Sequence, residues 1–179
     1  MSLQNITLVS FGYFEKNLLE KVLEAVRNEF HGQINLREGH IDLSEHYDPP
    51  RRQYNANSLI HQVDNLTFYD ATKVLGLFNV DLYIPILTFI FGQAFLNGPS
   101  GIASHFRLGN ERYGMPANDH LLAERFSKEV IHELGHMHGL IHCHQPTCVM
   151  RSSTYVEDID QKSMHFCQMC RKEQGIRED

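Results

Sequence analysis

Three histidines and a glutamate at fixed spacing form the part of the chain best suited to chemistry. They lie in residues 132–142, which read HELGHMHGLIH. Residues four apart share one face of a helix, so His132 and His136 can direct two imidazoles at one Zn²⁺. Glu133 projects beside that point, where a carboxylate can take a proton from water next to the metal. The spacing therefore predicts a catalytic metal site.

Gly139 and His142 extend this motif past the end of the helix. Glycine accepts the left-handed conformation that ends helices, so a chain turned at Gly139 can return His142 to the metal. Three neutral nitrogen ligands leave a fourth position open, which is typical of catalytic zinc. The chain has 12 histidines, and a bare HExxH can arise by accident, but these two further matches weigh against that alternative. His138 faces another side of the helix and is expected behind the ligands or in solvent.

The four cysteines form a second, independent pattern. They follow His142 as two pairs: Cys143, Cys148, Cys167 and Cys170. Paired thiolates at these spacings match a tetrahedral zinc site, which would be closed and structural. Disulfides and a redox-active dithiol are the alternatives. Disulfides need an oxidising compartment, and residues 1–14 do not resemble a signal peptide, so we predict a cytoplasmic protein with a structural zinc.

The segment from His132 to Cys170 resembles a known family of zinc enzymes. Its first part is similar to the metzincin zinc signature, and its continuation into the four cysteines resembles the archaemetzincins. The segments 53–56 (QYNA) and 91–94 (FGQA) are also similar to that family. This resemblance implies a metzincin-like peptidase fold with two zinc ions per chain.

The resemblance also implies roles for individual residues. The three histidines would hold the catalytic zinc, Glu133 would be the base, and the four cysteines would hold the second zinc. Metzincins place a methionine turn below the metal, and Met150 is the candidate, with an ordinary core methionine as the alternative. Some metzincins add a tyrosine shortly afterwards, but Tyr155 lies farther along the chain than that pattern requires.

Bulk properties favour one soluble domain over residues 1–179. A chain of 179 residues can enclose a sizeable core but is short for two domains. The net charge of -6 gives no electrostatic reason to expect nucleic acid as a partner. Polar residues and Pro85 interrupt the apolar stretch 84–95, so no membrane span is predicted. We expect a sheet–helix part at 1–142 and a short, zinc-pinned segment at 143–179.

Hydrophobic periodicity predicts the elements that position these motifs. Residues 6–12 are expected to form a strand, Glu15–Phe30 a helix and Gln33–Leu43 a second strand, an order that favours parallel pairing. The segment Asn55–Leu75 is expected to be helical. A long helix beginning near Pro116 should carry the zinc motif.

Three short β-rich runs lie between these helices: 80–86, 89–95 and 101–108. The predicted fold is therefore α/β (α+β), with a twisted mixed sheet and an active-site helix. By resemblance to metzincins, Phe89–Phe95 would form the upper rim of the cleft and pair with an extended peptide. An ordinary core strand is the alternative.

The function predicted from these motifs is zinc-dependent hydrolysis of peptide bonds in a peptide or protein substrate. The alternative is a zinc-stabilised peptide-binding protein that keeps the scaffold but has little hydrolytic activity. The presence of Glu133 favours the enzyme, because a degenerate scaffold has no need of the base.

Overall fold

Two sheets, five α-helices and two short 3₁₀ helices form the secondary structure of the described residues, 5–66, 68 and 70–174 of the computed structural model. The strands are β1 (Asn5–Phe11), β2 (Gln33–Gly39), β3 (Tyr47–Asp48), β4 (Gln53–Asn55), β5 (Lys73–Phe78), β6 (Leu82–Tyr83), β7 (Gly92–Ala94) and β8 (Ser100–Ser104). The α-helices are α1 (Lys16–Glu29), α2 (Ala56–Asp64), α3 (Asp119–Met137), α4 (Val156–Gln161) and α5 (Gln168–Gln174).

The larger sheet is mixed, as predicted. Its strand order is β2-β1-β5-β8-β7, and the smaller sheet has the order β3-β4-β6. Strands β2, β1, β5 and β8 run parallel, whereas β7 is the end strand and runs antiparallel to β8. The parallel pairing expected for β1 and β2 is confirmed.

Alternating side chains of β1 join the two hydrophobic layers of the molecule. Ile6 and Leu8 pack with α1 and α3 on one face of the sheet. Val9 and Phe11 pack with α2 on the other face. Successive side chains of a strand point to opposite faces, so one apolar strand can serve both layers. The sheet is therefore covered on both sides, and α3 is held against its β7–β8 end.

The described structure corrects the prediction that Asn55–Leu75 is helical throughout. Helix α2 ends at Asp64, and β5 begins at Lys73 and continues to Phe78. Strand β5 lies in the middle of the larger sheet and is buried on both faces, so its apolar run shows no alternation that separates it from a buried helix. Residues 67 and 69 of the predicted helix lie outside the described residues.

The other predicted elements are confirmed in kind, and most of them are shorter than predicted. Strand β2 ends at Gly39 rather than at Leu43. The three β-rich runs correspond to β6, β7 and β8, of two, three and five residues, and β8 begins one residue earlier than predicted. The long helix exists as α3, and the Asn118 side chain accepts a hydrogen bond from the Leu121 amide at 2.9 Å, which caps its first turn.

The C-terminal segment packs back onto α1. Glu29 is buried, and its carboxylate contacts His165 Nδ1 and, at 3.1 Å, Arg171 Nη2. Backbone hydrogen bonds from Val149 to His165 and from Ser163 to Thr147 join the two parts of the segment. No helix among the described residues combines the length and the apolar character that a bilayer span needs.

Candidate active site and cysteine cluster

The structure brings His132, His136 and His142 together at the end of α3. One ring nitrogen from each lies within 4.8 Å of the others. The Nε2 atoms of His132 and His136 are 3.1 Å apart. Zinc–nitrogen bonds of about 2.0–2.1 Å in a tetrahedral site separate the nitrogens by roughly 3.3 Å. The three imidazoles therefore fit one Zn²⁺ with small adjustments.

Backbone carbonyls orient two of the rings. His132 Nδ1 donates to the Val149 carbonyl at 2.8 Å, and His136 Nδ1 donates to the Leu140 carbonyl at 2.7 Å. A proton on Nδ1 leaves the lone pair on Nε2, which is the atom that faces the other ligands. The chain outside α3 thus sets the tautomer that a metal requires.

A glycine turn delivers the third histidine. Gly139 has a φ of 92°, and its amide donates to the His136 carbonyl, while the Leu140 amide donates to the Gly135 carbonyl at 3.0 Å. These two bonds form a Schellman turn, which satisfies carbonyls at the end of α3 and reverses the chain. The ring centroid of His142 comes to 5.3 Å from that of His132. The position predicted for Gly139 is therefore the position of the turn.

Burial, which is only partial for His142, lowers the pKa of all three imidazoles. It is the main cause that lowers the pKa of His132 well below its ordinary value, and the nearby Lys162 ammonium adds to the effect. Burial also lowers the pKa of His136 and of His142. Neutral imidazole is the form that binds metal. At neutral pH the three rings are ready to act as ligands.

Glu133 lies in the same cleft and is buried. Burial, followed by repulsion from the Glu129 carboxylate, raises the pKa of Glu133 well above its ordinary value, and Lys162 lowers it in part. Gly92 of β7 lies against this side chain, because a Cβ there would come 2.7 Å from Glu133 Oε1. A raised pKa suits a carboxylate that accepts and later donates a proton.

The cleft around these residues has a volume of about 640 Å³. Residues of Phe89–Phe95, including all of β7, line one side. Residues 152–155 line it as well, and they include the exposed Tyr155. Leu87, Leu96 and Ile141 are exposed apolar side chains of the same lining. The cleft can accommodate an extended chain with apolar side chains.

Met150 is buried directly below the metal-binding turn of α3. A Cβ at Gly135 would overlap Met150 Sδ, so the methionine packs against the backbone between His132 and His136. The Met150 carbonyl also accepts a hydrogen bond from the Cys143 amide at 2.9 Å. This is the place that the sequence analysis expects for the methionine turn.

The four cysteines also converge. Their sulfur atoms lie within 4.8 Å of one another. The Cys143–Cys167 and Cys148–Cys170 sulfur pairs are each 3.8 Å apart, beyond an S–S bond of about 2.05 Å. A tetrahedral zinc with bonds of about 2.3 Å separates its sulfur ligands by roughly 3.8 Å. The cluster fits a structural zinc rather than disulfides.

The electrostatics of the cluster differ from one thiol to the next. Burial is the main cause that raises the pKa of Cys170 and of Cys148. Burial also opposes ionisation of Cys167, but hydrogen bonds from Cys170, Cys143 and Cys148 outweigh it and lower the pKa. A bound cation stabilises all the thiolates at once, which gives these groups a reason to be gathered in one place.

Several residues of the site were not identified by the sequence analysis. They are Gly92, Glu129 and Lys162, which reach the site from β7, from an earlier turn of α3 and from the end of α4. Their proximity depends on tertiary packing, and no spacing in the sequence signals it. His138 lies outside the histidine cluster as expected, but it is buried against Phe30 rather than solvated.

The model of peptidase family M54 matches residues 3–175. The chain belongs to this family. Among its relatives, the archaemetzincin of Thermococcus kodakarensis is 36% identical over 174 residues, covering 93% of each chain. The archaemetzincin of Pyrococcus horikoshii is 40% identical over 136 residues, covering 74% of this chain and 72% of the relative. The resemblance stated from the sequence is confirmed.

Solved structures share the fold of this M54 chain. The archaemetzincin from Methanopyrus kandleri has a TM-score of 0.85 and 30% identity, covering 97% of this chain and 94% of that chain. A zinc-dependent peptidase from Methanocorpusculum labreanum also has a TM-score of 0.85 and 30% identity, with coverage of 94% and 99%. The predicted metzincin-like fold is confirmed, and the chain is a zinc metallopeptidase.

Proposed function

We propose that this M54 peptidase hydrolyses peptide bonds with Glu133 as the base and a catalytic Zn²⁺ held by three histidines: His132, His136 and His142. The observation that carries the proposal is the convergence of three neutral imidazoles beside a buried carboxylate in one cleft. A bound Zn²⁺ supplies Lewis acidity, which polarises the scissile carbonyl and acidifies the attacking water.

The chain's own residues position and move the proton. Glu133 takes the proton of the attacking water on a carboxylate oxygen and delivers it to the leaving amine. Gly92 of β7 confines the carboxylate on one side, and the side chain itself projects from α3. Burial of Glu133 excludes competing solvent, which strengthens its interaction with the reacting groups.

The substrate would bind along β7. This strand ends the larger sheet and lines the cleft, so an extended peptide can add to it through backbone hydrogen bonds. The exposed apolar residues of the lining favour peptides with bulky apolar side chains near the scissile bond. We propose a peptide or protein substrate on these grounds.

We further propose a second, structural Zn²⁺ on the four cysteines, so that each chain carries two zinc ions. The 3.8 Å sulfur separations support this site. Free thiols at this cluster also support a reducing compartment, and we propose a cytoplasmic location. Residues 1–179 would act as one peptidase domain, and the net charge of -6 favours neither nucleic acid nor an anionic membrane as a partner.

The test is chelator-sensitive cleavage of a diverse peptide library, read by mass spectrometry with purified protein. We expect cleavage that disappears when zinc is stripped and returns when zinc is added back, with products enriched in apolar residues beside the cut. Binding of peptides without any cleavage by the zinc-loaded protein would contradict hydrolysis and favour the peptide-binding alternative.

A further inference from the structure

A fully buried lysine lies behind the catalytic site and has no part in the mechanism above. The Lys162 ammonium is 3.1 Å from the Arg151 carbonyl, to which it donates a hydrogen bond, and 3.4 Å from Glu129 Oε1. It is also 3.5 Å from His132 Nδ1, which itself donates a hydrogen bond to the Val149 carbonyl. A buried ammonium is costly unless partners compensate it, so these contacts define where Lys162 must lie.

The partners of Lys162 belong to different parts of the cleft. Glu129 precedes His132 by three residues on α3, is buried, and contributes to the cleft lining. Arg151 begins the segment 151–155, whose residues 152–155 form part of the cleft wall. Lys162 itself follows α4 as its C-cap. One ammonium therefore connects the zinc-binding helix to the wall that faces the substrate.

The segment 151–155 is otherwise anchored mainly at its ends. The Arg151 amide donates to the Cys148 carbonyl at 3.0 Å, and the amides of Thr154 and Tyr155 donate to Asp158, each at 2.9 Å. These bonds hold the segment to its own neighbours in the chain. The Lys162 contact joins it to α3.

We propose that Lys162 is a positioning residue for this reaction: by holding the Arg151 carbonyl and the Glu129 carboxylate, it fixes the 151–155 wall relative to α3 and sets how tightly substrate is held beside Glu133. The inference rests on the proposed function, because it assigns the wall to substrate binding. A purely structural role predicts a different pattern, in which activity follows stability from variant to variant.

Two variants separate these roles. Lys162→Met leaves Glu129 as a buried uncompensated charge and should lower stability. The double variant Lys162→Met with Glu129→Gln removes both charges, so its stability should return toward that of the parent protein. In both, we expect faster amide exchange in peptides that cover 151–155 and a KM raised about tenfold with a smaller change in kcat. Zinc content should stay unchanged, because Val149 still orients His132.

Lys128→Met is the matched control. Lys128 is also a buried lysine of α3, and its ammonium contacts Glu124 at 2.8 Å and the Ile159 carbonyl at 3.2 Å. It does not line the cleft. This variant should lose stability while KM and the exchange of 151–155 stay at parent values.

The outcomes are decisive in each case. The proposal is overturned if the double variant returns to the stability, the KM and the slow amide exchange of the parent protein together. It is also overturned if amide exchange in 151–155 is unchanged in Lys162→Met. Should Lys162→Met not fold, the double variant supplies the same comparison. Hydrogen exchange requires no cleavage, so a parent protein that hydrolyses no peptide refutes the proposed function while the link between Lys162 and the wall is still tested.

Discussion

The close approach of Gly92 to Glu133 shows how little space surrounds the proposed base. Strand β7 passes so near the carboxylate that only a hydrogen fits on this Cα. A residue of any other type would have to displace either Glu133 or the neighbouring backbone of β8. The glycine is therefore a requirement of the site rather than of the strand.

Replacing Gly92 with Ala should reduce peptide hydrolysis. The added Cβ would come 2.7 Å from Glu133 Oε1 and 2.8 Å from the Ile102 carbonyl, so the carboxylate would have to shift. Displacement of a catalytic base by about 1 Å can lower the rate on the order of 100-fold. We expect kcat to fall by about that factor while zinc content is retained. Steady-state kinetics and metal analysis measure both quantities.

Gly109→Ala is the control for this change. A Cβ at Gly109 meets only the flexible Glu111 side chain, at 2.9 Å, and Gly109 is not part of the cleft lining. It should leave kcat unchanged. A Gly92→Ala protein with parental kcat would show that Glu133 is not confined as the structure indicates.

His138 should make the protein less stable in acid. Burial lowers the pKa of His138 to about 4, below the ordinary value of about 6.5 that holds in the unfolded chain. Between about pH 6.5 and about pH 4, the unfolded state therefore binds more protons than the folded state. Folding stability is lost as the pH falls through this range. His138→Phe should keep the contact with Phe30 and remove this loss.

We expect the loss in unfolding free energy between about pH 7.5 and about pH 5 to be smaller in His138→Phe by on the order of 2 kcal/mol. Denaturant unfolding at the two pH values, with equal zinc, measures it. Equal losses in the two proteins would show that His138 is not held neutral in the fold.

At the scale of elements, the turn after α3 connects helix termination to metal binding. The φ of 92° at Gly139 lies in the left-handed region, which is unfavourable for residues with a Cβ. The turn also places Leu140, whose carbonyl orients His136, and His142 itself. One backbone conformation therefore positions two of the three imidazoles, those of His136 and His142.

Gly139→Ala should destabilise the fold by about 1–2 kcal/mol and weaken the catalytic zinc site. Gly32→Ala is the control, because Gly32 has a φ of 105° after α1 and takes no part in the metal site. Both variants should unfold at a lower temperature than the parent protein. Zinc retention against a chelator should fall in Gly139→Ala alone. Equal zinc retention in the two would contradict the role of the turn.

The elements that the sequence predicts well are those that carry a local mark of their type. Helices α1 and α3 show apolar residues at three- and four-residue steps, and β1 is a short apolar run that Gly12 ends, although both of its faces are buried. Strand β5 is also buried on both faces, and its apolar run alone does not separate a strand from a buried helix. The metal ligands are predictable because a helix turn fixes their spacing, whereas Gly92 and Lys162 join the site through contacts between distant segments.

At the scale of the whole molecule, the two metal-binding clusters share a short piece of chain. Cys143 follows His142 directly, and its amide bonds to the Met150 carbonyl below α3. The cysteine cluster thus joins the return segment of the active site to the C-terminal helix α5, which carries Cys170. Loss of the structural zinc should loosen this part of the molecule.

Cys167→Ser should lower the zinc content by about one equivalent per chain and destabilise residues 143–174. Elemental analysis and amide exchange measure these two effects, and exchange should remain slow in β1 and α1, which the cluster does not anchor directly. Unchanged zinc stoichiometry would remove the structural site from this account.

The most direct test of the proposed hydrolysis is Glu133→Gln, with zinc content and peptide cleavage measured on the same sample. Glutamine keeps the size of the side chain but cannot accept the proton, so a rate loss of about 100-fold or more is expected with both zinc ions retained. Cleavage at the parental rate by this zinc-loaded variant would contradict the assignment of Glu133 as the base.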